Sequence, residues 1–318
     1  MSTDNREIQS CQALYHQYLQ SGNIVKIRNA RKLVFRGVGE RDVYNISAPF
    51  DEAGRLVIAG RVEKRDSEHS EVVFFSQQSD GNWVPIDEAP VLTLQDPFYT
   101  RIGGELVIGG VEIFPHPDQA DALMWRTVFY KEKDLTSLRL CFTGPDGMKD
   151  LRMLELPGGR IAVFTRPQGT KGGRGTIGFT IVDSLDDLSM EQINEAPLLD
   201  KQFLAEDWGG ANELHLLANG WIGVLGHIAR FDEQGDRHYY PMVFALHAET
   251  GEYTEMKIIA ERSDFLPGAT KRSDLKDVVF SGGLVRHANG WADLYAGISD
   301  AEAHCITLPD PFMPFEQK

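Results

Sequence analysis

Short runs of alternating apolar and polar residues, separated by glycine-containing turns, fill most of this 318-residue chain. One example runs from Gln95 to Gly110: a β-rich segment ends at Ile102, Gly103 and Gly104 form a turn, and a second β-rich segment follows. A Gly-Gly or Asn-Gly pair between two such segments is a strong signal for a β-hairpin. Four further segments have a similar pattern, so the sequence predicts five hairpins with the turn glycines Gly54, Gly104, Gly159, Gly220 and Gly290.

The spacing of these turns predicts the fold class. Successive turn glycines are 50, 55, 61 and 70 residues apart along the chain. A repeat of roughly 50 residues with about four strands per unit is typical of a β-propeller blade. We therefore predict an all-β, five-bladed β-propeller that forms a single domain over residues 1–318.

The N-terminal region has a different pattern. Between residues 5 and 21, apolar side chains recur mostly every three or four positions, and Gly22 follows. This periodicity predicts a short amphipathic helix that ends at a glycine. We expect residues 1–23 to form a helical extension that packs on the outside of the propeller.

A polar residue opens each predicted hairpin, eight or nine positions before its turn glycine. The innermost strands of propeller blades begin at one end of the central axis, so residues at these positions should form a ring around that opening. The ring would consist of Asn45, Asp96, Asp150, Asn212 and Ser281. One such residue alone is an ordinary polar group beside a strand, but five in phase indicate a binding site.

The charge and composition of the chain disfavour several classes of binding partner. The formal net charge is −15, which disfavours nucleic acids and anionic membranes as partners. The chain has no signal-peptide pattern and no apolar run of about 18 residues, so we expect no membrane span. Cys11, Cys141 and Cys305 are too few and too far apart for a disulfide framework or a metal motif, as is typical of a cytoplasmic protein.

The side chains expected around the opening suit a sugar and a phosphate. Carboxylates, amides and an aromatic ring match a sugar, whose hydroxyl groups need donors and acceptors and whose apolar face stacks. Nearby Lys and Arg side chains match a phosphate, although they could equally neutralise the carboxylates as structural ion pairs. We predict that the substrate-binding residues are Asn45, Asp150, Trp208, Asn212, Glu213, Asp277 and Ser281.

The ratio of carboxylates to cations near the opening distinguishes glycoside hydrolysis from phosphorolysis. Hydrolysis of a glycoside needs a carboxylic acid and a second carboxylate, whereas phosphorolysis needs only the acid because phosphate is the nucleophile. The many cations near the opening favour phosphorolysis.

His227, His238 and His304 lack a metal-binding spacing, and residues 173–178 match G-x-G-x-x-G without the strand and helix that a dinucleotide site requires. We therefore expect no metal and no cofactor.

Several longer motifs resemble the mannosyltransferase–phosphorylase family. They are Gln95-Asp-Pro-Phe98, Gly109-Gly-Val-Glu112, Met148-Lys-Asp-Leu-Arg152, Phe164-Thr-Arg-Pro-Gln-Gly169, Trp208-Gly-Gly-Ala-Asn-Glu213, Gly226-His-Ile-Ala229 and Asp277-Val-Val-Phe-Ser-Gly-Gly283. The similarity extends over residues 24–312 and implies a five-bladed propeller related to the β-mannoside phosphorylases. It also implies an enzyme that makes or breaks β-1,2-mannosyl linkages with mannose 1-phosphate and phosphate, or with GDP-mannose in some members.

The same resemblance identifies a candidate catalytic acid. Related phosphorylases use the aspartate of a Glu-Asp-Pro-Arg motif, and the matching residues here are Gln95, Asp96, Pro97 and Phe98. Asp96 is therefore the expected general acid. Because Phe98 replaces the arginine, phosphate contacts cannot be transferred from those relatives. We assign them from local clusters instead, to Arg61, Lys149, Arg166, His227, Tyr239, Lys271 and Arg272.

The resulting hypothesis is an inverting β-1,2-mannoside phosphorylase that binds manno-oligosaccharides and phosphate. Three alternatives stay open: a GDP-mannose-dependent transferase on the same scaffold, a glycoside hydrolase that uses Asp96 with Asp150 or Glu213, and a non-catalytic sugar-binding or scaffold propeller. The polar ring argues against the last, because a scaffold needs no charged residues around its axis. The outer blade edges and the N-terminal helix offer surfaces for a homodimer, but no sequence feature fixes one.

Overall fold

The structure is a computed structural model that describes residues 7–22, 26–120 and 122–317. In these ranges the chain forms β-strands β1–β20 and four short α-helices, in agreement with the predicted all-β class. The strands form several sheets of mainly antiparallel strands. The arrangement is that of a β-propeller-like fold.

Consecutive strands form the first three sheets. The first sheet contains β2 (Asp42–Tyr44), β3 (Phe50–Glu52), β4 (Arg55–Glu63), β5 (Glu71–Gln77) and β6 (Trp83–Pro85). The second sheet contains β7 (Gln95–Ile102), β8 (Glu105–Pro115), β9 (Leu123–Glu132) and β10 (Arg139–Thr143). The third sheet contains β11 (Arg152–Glu155), β12 (Ile161–Thr165) and β13 (Gly178–Val182).

The fourth sheet joins two groups of strands. One group contains β14 (Trp208–Leu216), β15 (Ile222–Phe231), β16 (Arg237–Leu246) and β17 (Lys257–Ile258). The other group contains β18 (Asp277–Arg286), β19 (Trp291–Ile298), β20 (Glu302–Pro309) and β1 (Arg28–Lys32). Two parallel residue pairs, His238 with Asp277 and Tyr239 with Val278, connect β16 to β18. Because β1 pairs with β20, the first strand of the chain completes the same group as the last.

All five predicted hairpins are present. They are β3–β4, β7–β8, β11–β12, β14–β15 and β18–β19. The five turn glycines have φ angles between 76° and 87°, a conformation that glycine adopts without the Cβ clash of other residues. This backbone requirement is why the repeat is visible in the sequence.

Five hydrophobic cores lie between neighbouring strand groups. Each core contains side chains from two neighbouring groups, for example Phe74 and Ile108, Phe129 and Val163, Phe164 and Val224, Val243 and Leu294, and Phe75 and Cys305. The last core packs β5 against β20, so the final strand group contacts the first group. Each strand group therefore buries apolar side chains against two neighbours, and this burial stabilises the fold.

The N-terminal helix α1 spans Cys11–Gln20, which is shorter than the helix predicted over residues 5–21. Ser10 caps it by accepting a hydrogen bond from the Ala13 amide. Cys11, Leu14 and Tyr18 are buried in the core that joins β12 to β15, so the helix packs against the sheets. Residues 1–6 and 23 of the predicted extension lie outside the described residues.

The other α-helices are α2 (Gly169–Gly172), α3 (Met190–Glu195) and α4 (Met313–Glu316). Ser189 caps α3 in a reciprocal capping box with Gln192. Over the described ranges, none of the helices is long and apolar enough to cross a membrane.

Candidate active site

A cavity of about 470 Å³ lies where β7, β14 and β18 begin. Ten of the fifteen residues predicted from sequence line it, namely Asn45, Arg61, Asp96, Lys149, Asp150, Arg166, Trp208, His227, Tyr239 and Arg272. Residues not predicted as site residues complete the wall, among them Glu68, Gln95, Trp125, Phe280 and Asp300. Within the described ranges, no three His, Cys, Asp or Glu side chains are grouped so that they could hold a metal ion.

Backbone geometry explains why polar residues recur at the ring positions. Asn45, Asp96 and Asp150 have positive φ angles of 44°, 50° and 60°. Asn and Asp tolerate this left-handed conformation better than other residues with a Cβ. The pairing register shifts at Asn212 and directly after Ser281, as in a β-bulge. The ring therefore marks a recurrent break in regular strand geometry, and its first three side chains line the cavity.

Carboxyl groups dominate one part of the cavity, which we call the carboxylate wall: Asn45, Arg61, Asp96 and Asp300. Asp96 Oδ1 accepts hydrogen bonds from Asn45 Nδ2 at 2.8 Å and from Arg61 Nη1 at 3.1 Å. Among the described residues, no side chain or amide donates to Oδ2. The Asp96 side chain is 12% exposed, so Oδ2 is free to contact a ligand in the cavity.

Asp300 lines this cavity and is absent from the residues predicted from sequence. It lies in the turn between β19 and β20, where Ser299 and Asp300 have φ angles of 52° and 49°. Turns of this kind favour Asn-Gly, so a Ser-Asp pair here costs backbone strain. Burial raises the pKa of Asp300 to about 6, although Arg61 opposes the increase. A polar turn without glycine between two apolar strands is the sequence signal that could have indicated it.

Cations dominate a second part of the cavity, which we call the cation wall: Lys149, Asp150, Arg166 and His227. Asp150 Oδ2 lies 3.4 Å from Arg166 Nη1, and Oδ1 lies 3.8 Å from Arg152 Nη2. Burial works to raise the pKa of Asp150, but the surrounding cations, Arg166 foremost, hold it below its usual value. Asp150 is therefore a charged carboxylate among cations.

The lack of a side chain at Gly210 allows the residues of the cation wall to pack closely. A Cβ atom on Gly210 would lie 2.8 Å from both Arg166 Cδ and Asp150 Oδ2, and 3.0 Å from His227 Cε1. Arg166 Nε also donates a hydrogen bond to the Gly209 carbonyl at 2.7 Å. The Gly-Gly pair at the start of β14 therefore lets the main chain approach the Arg166–Asp150 pair closely.

His227 is buried between two aromatic rings. The ring centres of Tyr239 and Phe280 lie 5.5 and 5.6 Å from that of His227. His227 Nδ1 lies 2.8 Å from Asn212 Oδ1. Burial, assisted by the nearby cations and opposed by Asp150, lowers the pKa of His227 to about 3. The imidazole is therefore neutral near pH 7, so it adds no charge to the cation wall.

An aromatic surface adjoins the cation wall, and we call it the aromatic rim: Arg174, Trp208, Phe231, Arg237 and Tyr239. Trp208 Nε1 donates a hydrogen bond to the Tyr239 hydroxyl at 3.0 Å, and the ring centres of Trp208 and Phe231 are 4.8 Å apart. The guanidinium carbon of Arg174 lies 5.3 Å from the Phe231 ring centre. Ring faces beside guanidinium groups suit a flat or partly apolar ligand that also carries negative charge.

Five predicted site residues do not line the cavity: Asn212, Glu213, Lys271, Asp277 and Ser281. Asn212 lies behind His227, which it contacts through Oδ1. Ser281 is fully buried and donates a hydrogen bond to the Gly226 carbonyl at 2.8 Å. Both side chains support the strands behind the cavity, because the bulges at these positions point them between neighbouring strands.

The other three are bound by neighbouring groups. Glu213 contacts a histidine ring nitrogen and a main-chain amide, each at 2.7 Å. Asp277 pairs with His238 at the junction of β16 and β18, and Lys271 Nζ binds Glu63. These three residues are predicted because they lie close in sequence to ring positions. The direction of each side chain depends instead on the alternation of side chains along a strand and on the path of the loop.

Known proteins resemble this chain over nearly its full length. It is similar to MPT-4, a mannose phosphorylase from Leishmania mexicana solved in complex with a phosphate ion, at 36% identity over 94% of this chain and 93% of that one, with a TM-score of 0.85. It is also similar to MPT-1, a GDP-Man-dependent mannosyltransferase from the same organism, at 30% identity over 96% and 95% of the two chains, with a TM-score of 0.85.

A β-1,2-mannobiose phosphorylase from Listeria innocua shares the fold, with a TM-score of 0.60 at 11% identity over 93% of this chain and 97% of that one. Comparison with curated proteins gave no match. Residues 20–314 match the family described as Protein of unknown function (DUF1861). That range includes every motif on which the resemblance rests. This chain therefore belongs to the mannosyltransferase–phosphorylase family, which corresponds to that description.

Proposed function

We propose that this chain catalyses the inverting phosphorolysis of β-1,2-mannosides and the reverse synthesis from mannose 1-phosphate. The observation that carries the proposal is the presence of a carboxylate wall and a cation wall in one cavity. A carboxyl group suits general acid catalysis, and clustered cations suit an anionic nucleophile. The 36% identical mannose phosphorylase, whose structure holds a phosphate ion, supports the same reaction class.

We also propose that the scaffold is a five-bladed propeller. Five hairpins begin five strand groups, and five cores each join two neighbouring groups. Pairing of β1 with β20 supports closure of such a ring, because it joins the two ends of the chain in one blade. In this arrangement every blade contributes the start of its inner strand to one site.

In the proposed reaction, Asp96 donates a proton to the glycosidic oxygen. Asn45 and Arg61 occupy its Oδ1, which leaves Oδ2 to approach the substrate. The bond between the anomeric carbon and the glycosidic oxygen breaks, and that oxygen leaves with the proton as a sugar hydroxyl. A phosphate oxygen attacks the anomeric carbon from the opposite face, which inverts its configuration and yields mannose 1-phosphate.

The cation wall would bind the phosphate. Lys149 and Arg166 supply the positive charge, and Asp150 holds Arg166 in place through their ion pair. His227 and Tyr239 would add uncharged hydrogen bonds to the phosphate oxygens. Arg166 also binds the Gly209 carbonyl, so its guanidinium is oriented before the ligand arrives.

Two cations predicted as phosphate ligands lie elsewhere in the cavity. Arg61 binds Glu63 and Asp96, so we propose that it positions the acid. Arg272 is half-exposed and pairs with Asp274 at 3.0 Å, so a contribution to phosphate binding would require it to leave that carboxylate.

Asp300 would give the site a second carboxyl group near the acid. Burial and the neighbouring Asp96 carboxylate raise the pKa of Asp300, so Asp300 would hold a proton at mildly acidic pH. The alternative of hydrolysis with Asp150 or Glu213 as the second carboxylate has less support. Asp150 is held between two guanidinium groups, and Glu213 does not line the cavity.

The test is incubation of the purified protein with β-1,2-mannobiose, with and without inorganic phosphate, followed by assays of mannose 1-phosphate and free mannose. We expect mannose 1-phosphate to appear only when phosphate is present. Free mannose in the absence of phosphate would indicate a hydrolase. No product in either sample would contradict the proposal.

The aromatic rim favours a second candidate, transfer of mannose from GDP-mannose. A guanine ring could stack on Phe231 or Trp208, while Arg174 and Arg237 bind the diphosphate. The GDP-Man-dependent mannosyltransferase at 30% identity supports this reading. Release of GDP from GDP-mannose in the presence of β-1,2-mannobiose, without added phosphate, would establish it.

Neither proposed reaction needs a cofactor beyond its own substrates. Cys11, Cys141 and Cys305 are free thiols, which agrees with the proposed cytoplasmic location because disulfides are rare there. A homodimer stays a proposal, and sedimentation of the purified protein would test it.

A further inference from the structure

A buried carboxylate beside the cavity, that of Glu63, has no role in the reaction proposed above. Its side chain is 0% exposed, and both of its oxygens are occupied. Oε1 accepts hydrogen bonds from the Tyr44 hydroxyl and Lys271 Nζ. Oε2 accepts hydrogen bonds from the Ser70 hydroxyl and from Arg61 Nη2, the latter at 2.9 Å. A fully buried carboxylate with this many donors fixes the groups around it.

Glu63 orients the guanidinium that holds the proposed acid. Arg61 Nη2 and Nε lie 2.9 and 3.3 Å from Glu63 Oε2, and Arg61 Nη1 donates to Asp96 Oδ1 at 3.1 Å. The guanidinium is planar and rigid, so it cannot turn towards one carboxylate without leaving the other. The position of Asp96 Oδ1 therefore depends on Glu63.

Lys271 connects Glu63 to the second carboxyl group in the cavity. Its side chain is 5% exposed, and its Nζ binds Glu63 Oε1. Its main-chain amide donates a hydrogen bond to the Ser299 carbonyl at 3.0 Å. Ser299 is the residue before Asp300 in the strained turn. Lys271 thus contacts the supports of both cavity carboxyl groups.

We propose that Glu63 and Lys271 form a positioning pair that fixes Asp96 and Asp300 relative to each other. This inference rests on the proposed phosphorolysis and gives Lys271 a role other than the phosphate ligand predicted from sequence. Lys271 does not line the cavity. Its Nζ carries three protons and has three acceptors, which are Glu63 Oε1, the Ser67 carbonyl at 2.8 Å and Glu68 Oε1 at 3.1 Å.

Steady-state kinetics separate positioning from phosphate binding. In Lys271→Met we expect kcat to fall roughly 10- to 100-fold, the cost of a small misplacement of catalytic groups. The KM for phosphate should change by less than about twofold, because no phosphate contact is lost. Lys271→Arg should recover part of kcat. Lys131→Met, which removes the lysine of a surface ion pair with Glu105, is the matched control and should behave as the wild type.

A titration of the cavity carboxyl groups tests the pair without any turnover. The charged and titratable groups that face Asp300 are Arg61, Glu63, Asp96, Lys271, Arg272, Tyr44 and Tyr239. Loss of the Lys271 cation should raise the pKa of Asp300, whereas loss of the Glu63 anion in Glu63→Gln should lower it. The double variant should return close to the wild type, because both charges are gone. Carbon-13 NMR of the aspartate carboxyl groups, assigned with Asp300→Asn, would measure these shifts.

The outcomes are distinct. Opposite shifts of the Asp300 pKa together with a fall in kcat at constant phosphate KM would support the positioning pair. A raised phosphate KM with unchanged kcat in Lys271→Met would overturn it, as would equal shifts in the two single variants. Failure of the wild type to release mannose 1-phosphate would refute the proposed phosphorolysis instead, while the titration would still decide whether Glu63 and Lys271 act on Asp300.

Discussion

Arg61 is the cation of the carboxylate wall. The Arg61 guanidinium lies 2.9 Å from Glu63, 3.1 Å from Asp96 and 3.6 Å from Glu68. Three carboxylates therefore contact the Arg61 guanidinium, which is almost fully buried among them. Asp96 is the one that belongs to the wall, and Lys271 also binds the other two. Asp300 adds a further carboxyl group to the same wall.

The cation wall has the inverse arrangement, with a single anion among cations. The Asp150 carboxylate lies 3.4 Å from Arg166 and 3.8 Å from Arg152, and Lys149 also lowers its pKa. Like Arg61, Asp150 is buried and paired on both sides. In each wall, one side chain of opposite charge, Arg61 or Asp150, holds the other charged side chains in position.

This difference shows how an acidic protein can bind an anion. The chain carries a formal net charge of −15, and such a field repels phosphate from most of the surface. The surplus cations of one wall reverse the sign locally, because few carboxylates neutralise them. In the proposed reaction, the surplus carboxyl groups of the other wall face the sugar, where they would exchange protons and accept hydrogen bonds. Removing a surplus group should therefore affect chemistry or binding, and the effect should differ between the walls.

The largest effect should follow from loss of the surplus acid in the carboxylate wall. Asp96→Asn keeps an oxygen for Asn45 and Arg61 but cannot donate a carboxyl proton. We expect kcat for phosphorolysis to fall about 10²- to 10⁴-fold, the usual contribution of a general acid. The phosphate KM should stay close to that of the wild type, because the proposed phosphate site is the other wall.

Asp51→Asn is a suitable control for this experiment, because Asp51 is exposed at the β3–β4 turn. Thermal unfolding of both variants would show that the fold is intact. Near wild-type turnover in Asp96→Asn would remove the acid assignment. A large rise in phosphate KM would show instead that the two walls do not act separately.

Loss of a surplus cation should have a smaller effect and a different kinetic signature. Arg166→Met removes a charged hydrogen-bond donor, which is worth about 1.5–3 kcal/mol. We therefore expect the phosphate KM to rise roughly 10- to 100-fold. Arg160→Met is the matched control: Arg160 precedes the same strand, β12, and pairs with Glu249 at the surface. Unchanged phosphate dependence in Arg166→Met would exclude Arg166 from the phosphate site.

The sequence could reveal the hairpins because their turns demand particular residues. Glycines at positive φ recur at every hairpin turn, and Asn or Asp recurs at the left-handed positions of the first three ring residues. These are local backbone requirements, so they restrict the residue type at each position and can be recognised in the sequence. Three of the ten predicted residues that line the cavity, Asn45, Asp96 and Asp150, occupy these positions.

The remaining site features depend on contacts between distant segments. Lys149 and Lys271 are both lysines in loops before a strand group, but only Lys149 lines the cavity. Lys271 is drawn away by Glu63, a residue 208 positions earlier in the chain. Asp300 occupies a turn that has neither glycine nor asparagine, so the glycine pattern that indicates the five hairpins does not indicate it. Side-chain direction in such places is set by tertiary packing, which a single sequence does not encode locally.

The smallest predicted effect concerns the pH dependence of stability at Asp300. Its pKa is about 6 in the folded protein, above the ordinary value of 3.8. Between these values the folded state binds more protons than the unfolded state, so this group's contribution to stability is lost as pH rises through about 4–6. Asp300→Asn cannot titrate, so its free energy of unfolding relative to the wild type should increase between pH 4.5 and pH 7.5. The gain should be on the order of 2 kcal/mol, measured by urea denaturation at both pH values.

A second aspartate, whose pKa shift has the opposite sign, provides a control. Side-chain hydrogen bonds from Thr136 and Ser137 lower the pKa of Asp134, which caps a short 3₁₀ turn. Its contribution to stability is fully present above the ordinary carboxyl pKa and is lost only as pH falls below that value, so the stability of Asp134→Asn relative to the wild type should stay nearly constant between pH 4.5 and pH 7.5. If both variants moved in the same direction between pH 4.5 and pH 7.5, a general change in net charge would explain the data. The raised pKa of Asp300 would then not be the cause of the pH dependence.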